Sequence, residues 1–322
     1  MRTNDLTSKA SSAAVSSVDA QLLRAIESAA RAIEGRPTPT TADELRDAFV
    51  RMRRSIERDA PDLRAVVELE VPIGAASIPA RLYEPSGLAD LIIVYFHGGG
   101  WVLGDLDTGD AIARHLCVAA EATVLSVEYR KAPEHPFPAA VHDALAGVDF
   151  AATHLATGRP LAVAGDSAGA TLATVCALHR SAKLRGPVKA QLLAYPATDC
   201  DLTRPSYLAE PHGPAFAALV GWCWDQYVPV PADRLHPDAT PLHTGDLSAA
   251  PAAVILLAGH DGVHDEGQAY AWRLAAAGVD VDVLRYDTAL HDFLAYVGSV
   301  DLSDAAMRAG ALALRAATLE SL

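Results

Sequence analysis

Two amphipathic segments open the chain. In the first, Val18, Leu22, Ile26, Ala29 and Ile33 recur at helical spacing, and Gly35, Pro37 and Pro39 close the pattern. The second begins at Thr41, which forms a capping box with Glu44 three residues on. Leu45, Phe49, Met52 and Ile56 then make one apolar stripe that stops before Pro61. From residue 64 the texture changes to short β-rich runs at 66–71, 78–83, 91–96, 122–128, 161–164, 188–193, 253–257 and 279–285. Helical stretches separate these runs from the third onward, which predicts a mostly parallel sheet with crossover helices. The first two lie close together and predict an antiparallel entry to it. LIIVYF and AAVILLA are almost unbroken apolar runs, as strands buried on both faces require. The alternation fails once, over residues 201–247, a Pro-rich stretch that carries Trp222, Trp224 and Tyr227 and reads as an insertion.

Half of the 322 residues are apolar, enough for a sizeable core. The 26 basic residues against 40 acidic ones, net −14, argue against nucleic acid, which calls for clustered Lys and Arg. Cys117, Cys176, Cys200 and Cys223 show no close-spaced framework and are expected as buried reduced thiols. The N-terminal residues lack the apolar core of a signal peptide, and no run approaches a membrane span. The expectation is a cytoplasmic protein without membrane or nucleic-acid partners, with a homodimer as a candidate assembly.

The chemistry begins at Gly165-Asp166-Ser167-Ala168-Gly169, a G-x-S-x-G. Composition alone yields that pattern in roughly one chain in ten of this length, so context has to decide. Here LAVA precedes it as a strand and ATLATVCALHR follows as a helix, the arrangement of a nucleophile elbow. The competing reading is a tight β–α turn whose serine merely caps a helix. Directly after LIIVYF stands His97-Gly98-Gly99-Gly100-Trp101. Acyl transfer builds negative charge on a carbonyl oxygen, and a glycine run leaves backbone N–H donors open to it. A phosphate cradle would need Lys and Ser/Thr after the last glycine, and neither is present. His97 is expected to organise the loop.

HGGGW, GDLDTGD, YRKAPEHPFPAAVHDA and GDSAG, followed by Tyr195-Pro196, His260-Asp261 and His291-Asp292-Phe293, resemble the hormone-sensitive-lipase family, the bacterial family IV esterases. The likeness runs over residues 78–300. It implies an α/β-hydrolase fold with an eight-stranded, mostly parallel sheet, a helical cap, no cofactor, and hydrolysis of short-chain carboxylic esters by a serine esterase. The division it suggests is N-terminal cap helices at 1–45, core at 46–200 and 248–322, and a cap insertion at 201–247. A deacetylase, amidase or lactonase would use the same residues. Plant gibberellin receptors, which resemble the family without the catalytic histidine, supply a binding-only alternative.

In this fold the triad follows the order Ser, Asp/Glu, His. Ser167 is the expected nucleophile, and His291, beyond the last predicted strand, the expected base. Asp261 follows the AAVILLAGH run at once and is the expected acid, with Asp265 as competitor. Similar enzymes carry Asp-Pro-Leu there; this chain has Asp261-Gly262-Val263, and the lost proline is expected to loosen the loop. Asp265 is otherwise expected to stabilise a helix start. Gly98, Gly99, Gly100 and Ala168 are the candidate oxyanion-hole residues, with Gly99, Gly100 and Ala168 as the donors and Gly98 as a shaper of the loop. Trp101, Asp166, Tyr195 and Trp222 are the candidate pocket residues. His260 and His264, four apart, invite a zinc reading, but Gly262 lies between them and no third ligand motif follows, so no metal is expected.

Overall fold

The computed structural model describes residues 18–35, 38–181, 183, 186–209 and 213–320. Residues 1–17, 36 and 37 of the expected cap helices, 210–212 of the insertion, and 182, 184, 185, 321 and 322 of the core lie outside the described residues.

Eight strands form one sheet: β1 (Ala65–Ile73), β2 (Ala76–Glu84), β3 (Leu91–Phe96), β4 (Ala122–Val127), β5 (Leu161–Asp166), β6 (Val188–Ala194), β7 (Ala252–His260) and β8 (Val281–Leu290). Their order is β1-β2-β4-β3-β5-β6-β7-β8. Only β2 runs antiparallel to its neighbours; every other pairing is parallel. All eight expected runs are strands, and the first two form the expected antiparallel entry. Every residue of β3, β4 and β5 is buried, because helices cover both faces at the sheet's centre. One face carries α3 (Leu106–Ala119) and α9 (Asp301–Glu320), the other α4 (Ala139–Phe150), α5 (Ala168–His179) and α8 (His264–Ala276).

Among the described residues, two helices precede the sheet, α1 (Ala20–Ala30) and α2 (Ala42–Arg54). The apolar pattern of α1 reached Ile33, but the helix stops at Ala30 and turns lead to Gly35, at φ 72°. The capping box of α2 forms as the sequence predicts. Thr41 Oγ1 accepts the Glu44 N–H at 3.2 Å, and Glu44 Oε2 accepts the Thr41 N–H at 3.3 Å. From the same helix Arg46 donates to Glu134 at 2.6 Å and to the Val102 and Ala132 carbonyls, each at 2.8 Å. These bonds pin α2 over the loops that follow β3 and β4. Residue 45 lies inside α2, so a boundary there would cut a single element. The insertion contains α6 (Pro205–Leu208) and the fifteen-residue α7 (Gly213–Tyr227). The cysteines are all unpaired, and three of them are buried.

Candidate active site

Ser167, Asp261 and His291 each follow the last residue of a parallel strand, β5, β7 and β8, and so meet at one edge of the sheet. Ser167 sits at φ 52°, ψ −120°, a conformation a non-glycine residue holds only when its surroundings impose it. The turn is tight because α5 packs on the end of β3: a Cβ at Gly169 would run into the Phe96 carbonyl. The Ser167 hydroxyl is 3.0 Å from His291 Nε2, and His291 Nδ1 is 2.9 Å from both oxygens of the Asp261 carboxylate. Asp261 is buried and also accepts the Val263 N–H at 3.0 Å. The imidazole is clasped by two rings, Tyr195 edge-on at 5.0 Å and Phe216 at 4.8 Å. Burial works to lower the His291 pKa, but the charge and hydrogen bond of Asp261 outweigh it, and the pKa is raised.

The N–H groups of Gly99, Gly100 and Ala168 have no partner among the described residues, and all three residues line the cavity in front of Ser167. The space above Gly100 is closed by α7, since a Cβ there would stand 2.5 Å from Cys223 Sγ. Gly98 differs from its neighbours: it shapes the loop and offers no free donor. Its N–H is committed to Asp166 Oδ1 at 3.0 Å, an atom that also accepts the Tyr95 hydroxyl at 2.5 Å. Asp166 is therefore a tie beneath the glycine loop and not a pocket residue. Burial pushes its carboxyl up to about 6, with the neighbouring charge of Asp292 adding to the rise. His97 is buried, stacks on Tyr129 at 4.4 Å and contacts the Gly98 carbonyl at 2.8 Å, as a loop organiser should.

The cavity holds about 740 Å³. Of the four expected pocket residues only Trp101 lines it, its ring stacked on Tyr227 at 4.3 Å. Tyr195 and Trp222 are corrected together with Asp166. Tyr195 braces His291 from behind, and Trp222 packs on the core away from the cavity. The apolar wall comes instead from α1 and α2 (Ile26, Phe49, Met52) and from α7 (Phe216, Leu219, Val220). The stripe of α2 signalled Phe49 and Met52; nothing in the sequence signalled Arg53, a buried cation in the same wall.

Asp265 has no hydrogen bond or ion pair with His291. It lies in the first turn of α8, where Oδ2 accepts the Ser206 N–H of the insertion at 2.9 Å. It therefore fastens α6 rather than capping its own helix. The loop lacking proline is not loose: a Cβ at Gly262 would collide with Phe216 and Tyr207, 2.6 and 2.7 Å away, so the insertion fills the space. His264 Nδ1 is taken by the Ala258 carbonyl at 2.7 Å, and no three His, Cys, Asp or Glu converge on a metal-sized site among the described residues.

A family model described as the alpha/beta hydrolase fold matches residues 93–295. Esterase LipI of Mycobacterium tuberculosis is 38% identical over 305 residues, covering 88% of this chain and 92% of its own length. An ethyl acetate hydrolase of Pseudomonas putida is 36% identical over 278 residues, 82% of this chain and 86% of its own. Among solved structures, a thermophilic, thermostable carboxylesterase cloned from a metagenomic library superposes with a TM-score of 0.80 at 31% identity, covering 87% of this chain and 98% of that one. With matches of this extent the chain belongs to the α/β-hydrolase superfamily, among the esterases that resemble hormone-sensitive lipase.

Proposed function

We propose that the protein is a serine carboxylesterase that hydrolyses short- to medium-chain esters through an acyl-enzyme. The observation that carries the reading is the hydrogen-bonded line from Ser167 through His291 to Asp261, at 3.0 and 2.9 Å, in one cavity with three N–H groups that have no partner among the described residues. Ser167 Oγ attacks the ester carbonyl carbon as His291 Nε2 takes its proton. Asp261 holds the other imidazole proton on Nδ1 and stabilises the imidazolium. The N–H groups of Gly99, Gly100 and Ala168 receive the oxyanion. His291 then protonates the departing alcohol, and a water deprotonated by the same nitrogen releases the acid and restores the serine.

The cap is read as the N-terminal segment, extended through Arg54, together with 201–247. Side chains from both parts line the one cavity, which supports treating them as a unit. No helix among the described residues is long and apolar enough to cross a membrane. The wider reading is a cytoplasmic enzyme acting on small esters, with neither nucleic acid nor membrane as partner. A homodimer is included because β8 is an edge strand of the sheet and Trp272 of α8 is 68% exposed.

The decisive test is Ser167→Ala beside wild type. Wild type should hydrolyse p-nitrophenyl butyrate and take a fluorophosphonate label. The variant should do neither while melting at a similar temperature. Near-wild-type turnover by folded Ser167→Ala would refute the proposal.

A further inference from the structure

One charged side chain in the cavity wall has no part in the chemistry above. Arg53, near the end of α2, is 7% exposed and stands among Ile26, Phe49 and Met52. Its guanidinium carbon lies 4.8 Å from the centre of the Phe49 ring, and its Nε has no partner among the described residues. What compensates its charge is one short bond, from Nη2 to Asp292 Oδ2 at 2.6 Å. Burial works to lower the Arg53 pKa, and Asp292 more than restores it.

Asp292 is the residue after His291, and its backbone is left-handed, at φ 67°, ψ 17°. Such a conformation is strained for a non-glycine residue and persists where its surroundings fix it. The Arg53 bond grips the side chain of this residue. The pair therefore joins α2, a cap helix, to the turn on which the imidazole is mounted.

The charges around His291 come from several elements. Asp261 approaches from the end of β7, Asp166 from the end of β5, and Asp292 from the imidazole's own turn. The uncharged groups facing it are Ser167, Tyr195 and Phe216. Around Arg53 stand Asp292, Asp166 and Tyr296, with Arg58 as a second cation packed against its backbone carbonyl. Of the two carboxylates shared by both sets, Asp292 is the one Arg53 bonds directly. Unpaired, that carboxylate would stand beside the base with its full charge.

We propose that Arg53 is a positioning residue for the reaction: by pairing with Asp292 it holds the left-handed turn that carries His291 and neutralises the carboxylate beside the imidazole. The base is then fully set only when α2 is seated on the core. This rests on His291 being the general base.

The test is the pH profile of kcat/KM for the full chain on p-nitrophenyl acetate, in wild type, Arg53→Met, Arg53→Lys, Asp292→Asn and the double variant Arg53→Met/Asp292→Asn. Arg53→Met frees the carboxylate, so its acid limb should move up by about half a pH unit or more, with kcat falling more than KM rises. Asp292→Asn leaves the cation unopposed, so its limb should move down. The double variant should return towards the wild-type limb, and Arg53→Lys should restore most of it. Limbs of both single variants that superimpose on wild type, or that shift in the same direction, overturn the proposal. Should Arg53→Met fail to fold by thermal melt, Asp292→Asn decides alone, and a limb that does not move down overturns the coupling. A wild-type enzyme with no acid limb and no fluorophosphonate labelling would instead refute the triad. A wild-type limb that the variants leave in place refutes only the coupling.

Discussion

Replacing Asp261 by Asn tests the triad acid without altering its shape. Asp261 Oδ1 accepts the Val263 N–H at 3.0 Å, and both carboxylate oxygens lie 2.9 Å from His291 Nδ1. An asparagine there keeps its carbonyl oxygen on the Val263 N–H, because the flipped amide would set two donors face to face and strand a buried N–H. Its NH₂ group then takes the place of Oδ2 and points at Nδ1. The imidazole must carry its proton on Nε2 instead, and a protonated Nε2 cannot accept the proton of Ser167. A wrong tautomer in such a triad costs about 10⁴ in kcat, or about 5.5 kcal/mol of barrier. Asp265 is the control. Asp265→Asn retains an acceptor for the Ser206 N–H and should keep most of kcat, whereas Asp265→Ala strands that group and should lower stability by about 1 kcal/mol. Steady-state kinetics on p-nitrophenyl butyrate and thermal melts of the three variants provide the measurements. A dead Asp265→Asn beside an active Asp261→Asn would refute the assignment and the tautomer argument with it.

Three further outcomes follow from the same geometry. Because Asp261 raises the His291 pKa, the inactive imidazolium persists to higher pH than in a free histidine, so kcat/KM should climb through a midpoint above about 6.5 and then level; a rate maximum below pH 5 would contradict this. Gly100→Ala adds a methyl group against Cys223 at φ 60° and should cut kcat by about 10² through a displaced oxyanion donor, with part of the loss recovered in Gly100→Ala/Cys223→Ala; unchanged kinetics would remove the glycine loop from the mechanism. The cavity that α1, α2 and α7 wall in holds about 740 Å³, so p-nitrophenyl esters of roughly two to eight acyl carbons should outpace emulsified long-chain triglyceride, and the reverse order would refute the substrate reading.

The sheet was legible because its centre obeys a local rule. Strands buried on both faces must be apolar throughout, and LIIVYF in β3 shows this without reference to any other residue. The elbow was legible for a similar reason, since G-x-S-x-G between a strand and a helix marks one backbone feature. So was the start of α2, where Thr41 and Glu44 satisfy each other within one turn. The pocket wall obeys no such rule. Trp101, Trp222 and Tyr195 are alike in being large aromatics near motifs, yet one lines the cavity, one packs on the core and one braces the imidazole. Which role each takes depends on where α2 and α7 settle over the sheet, a contact between segments far apart in sequence.

Gly262 carries that point furthest. Taken along the chain, glycine in place of proline removes a constraint on the loop bearing Asp261. In the fold, the space a side chain would need at 262 is filled by Phe216 and Tyr207 of the insertion. Ser206 of the insertion also donates a hydrogen bond to the Gly262 carbonyl at 2.5 Å. The Val263 N–H meanwhile fixes the carboxylate from within the loop. The restraint that a proline ring would impose locally is supplied from outside, by residues of α6 and α7 that also touch the imidazole through Phe216. A proline at 262 would therefore not tighten the site: it would displace the ring that clasps His291.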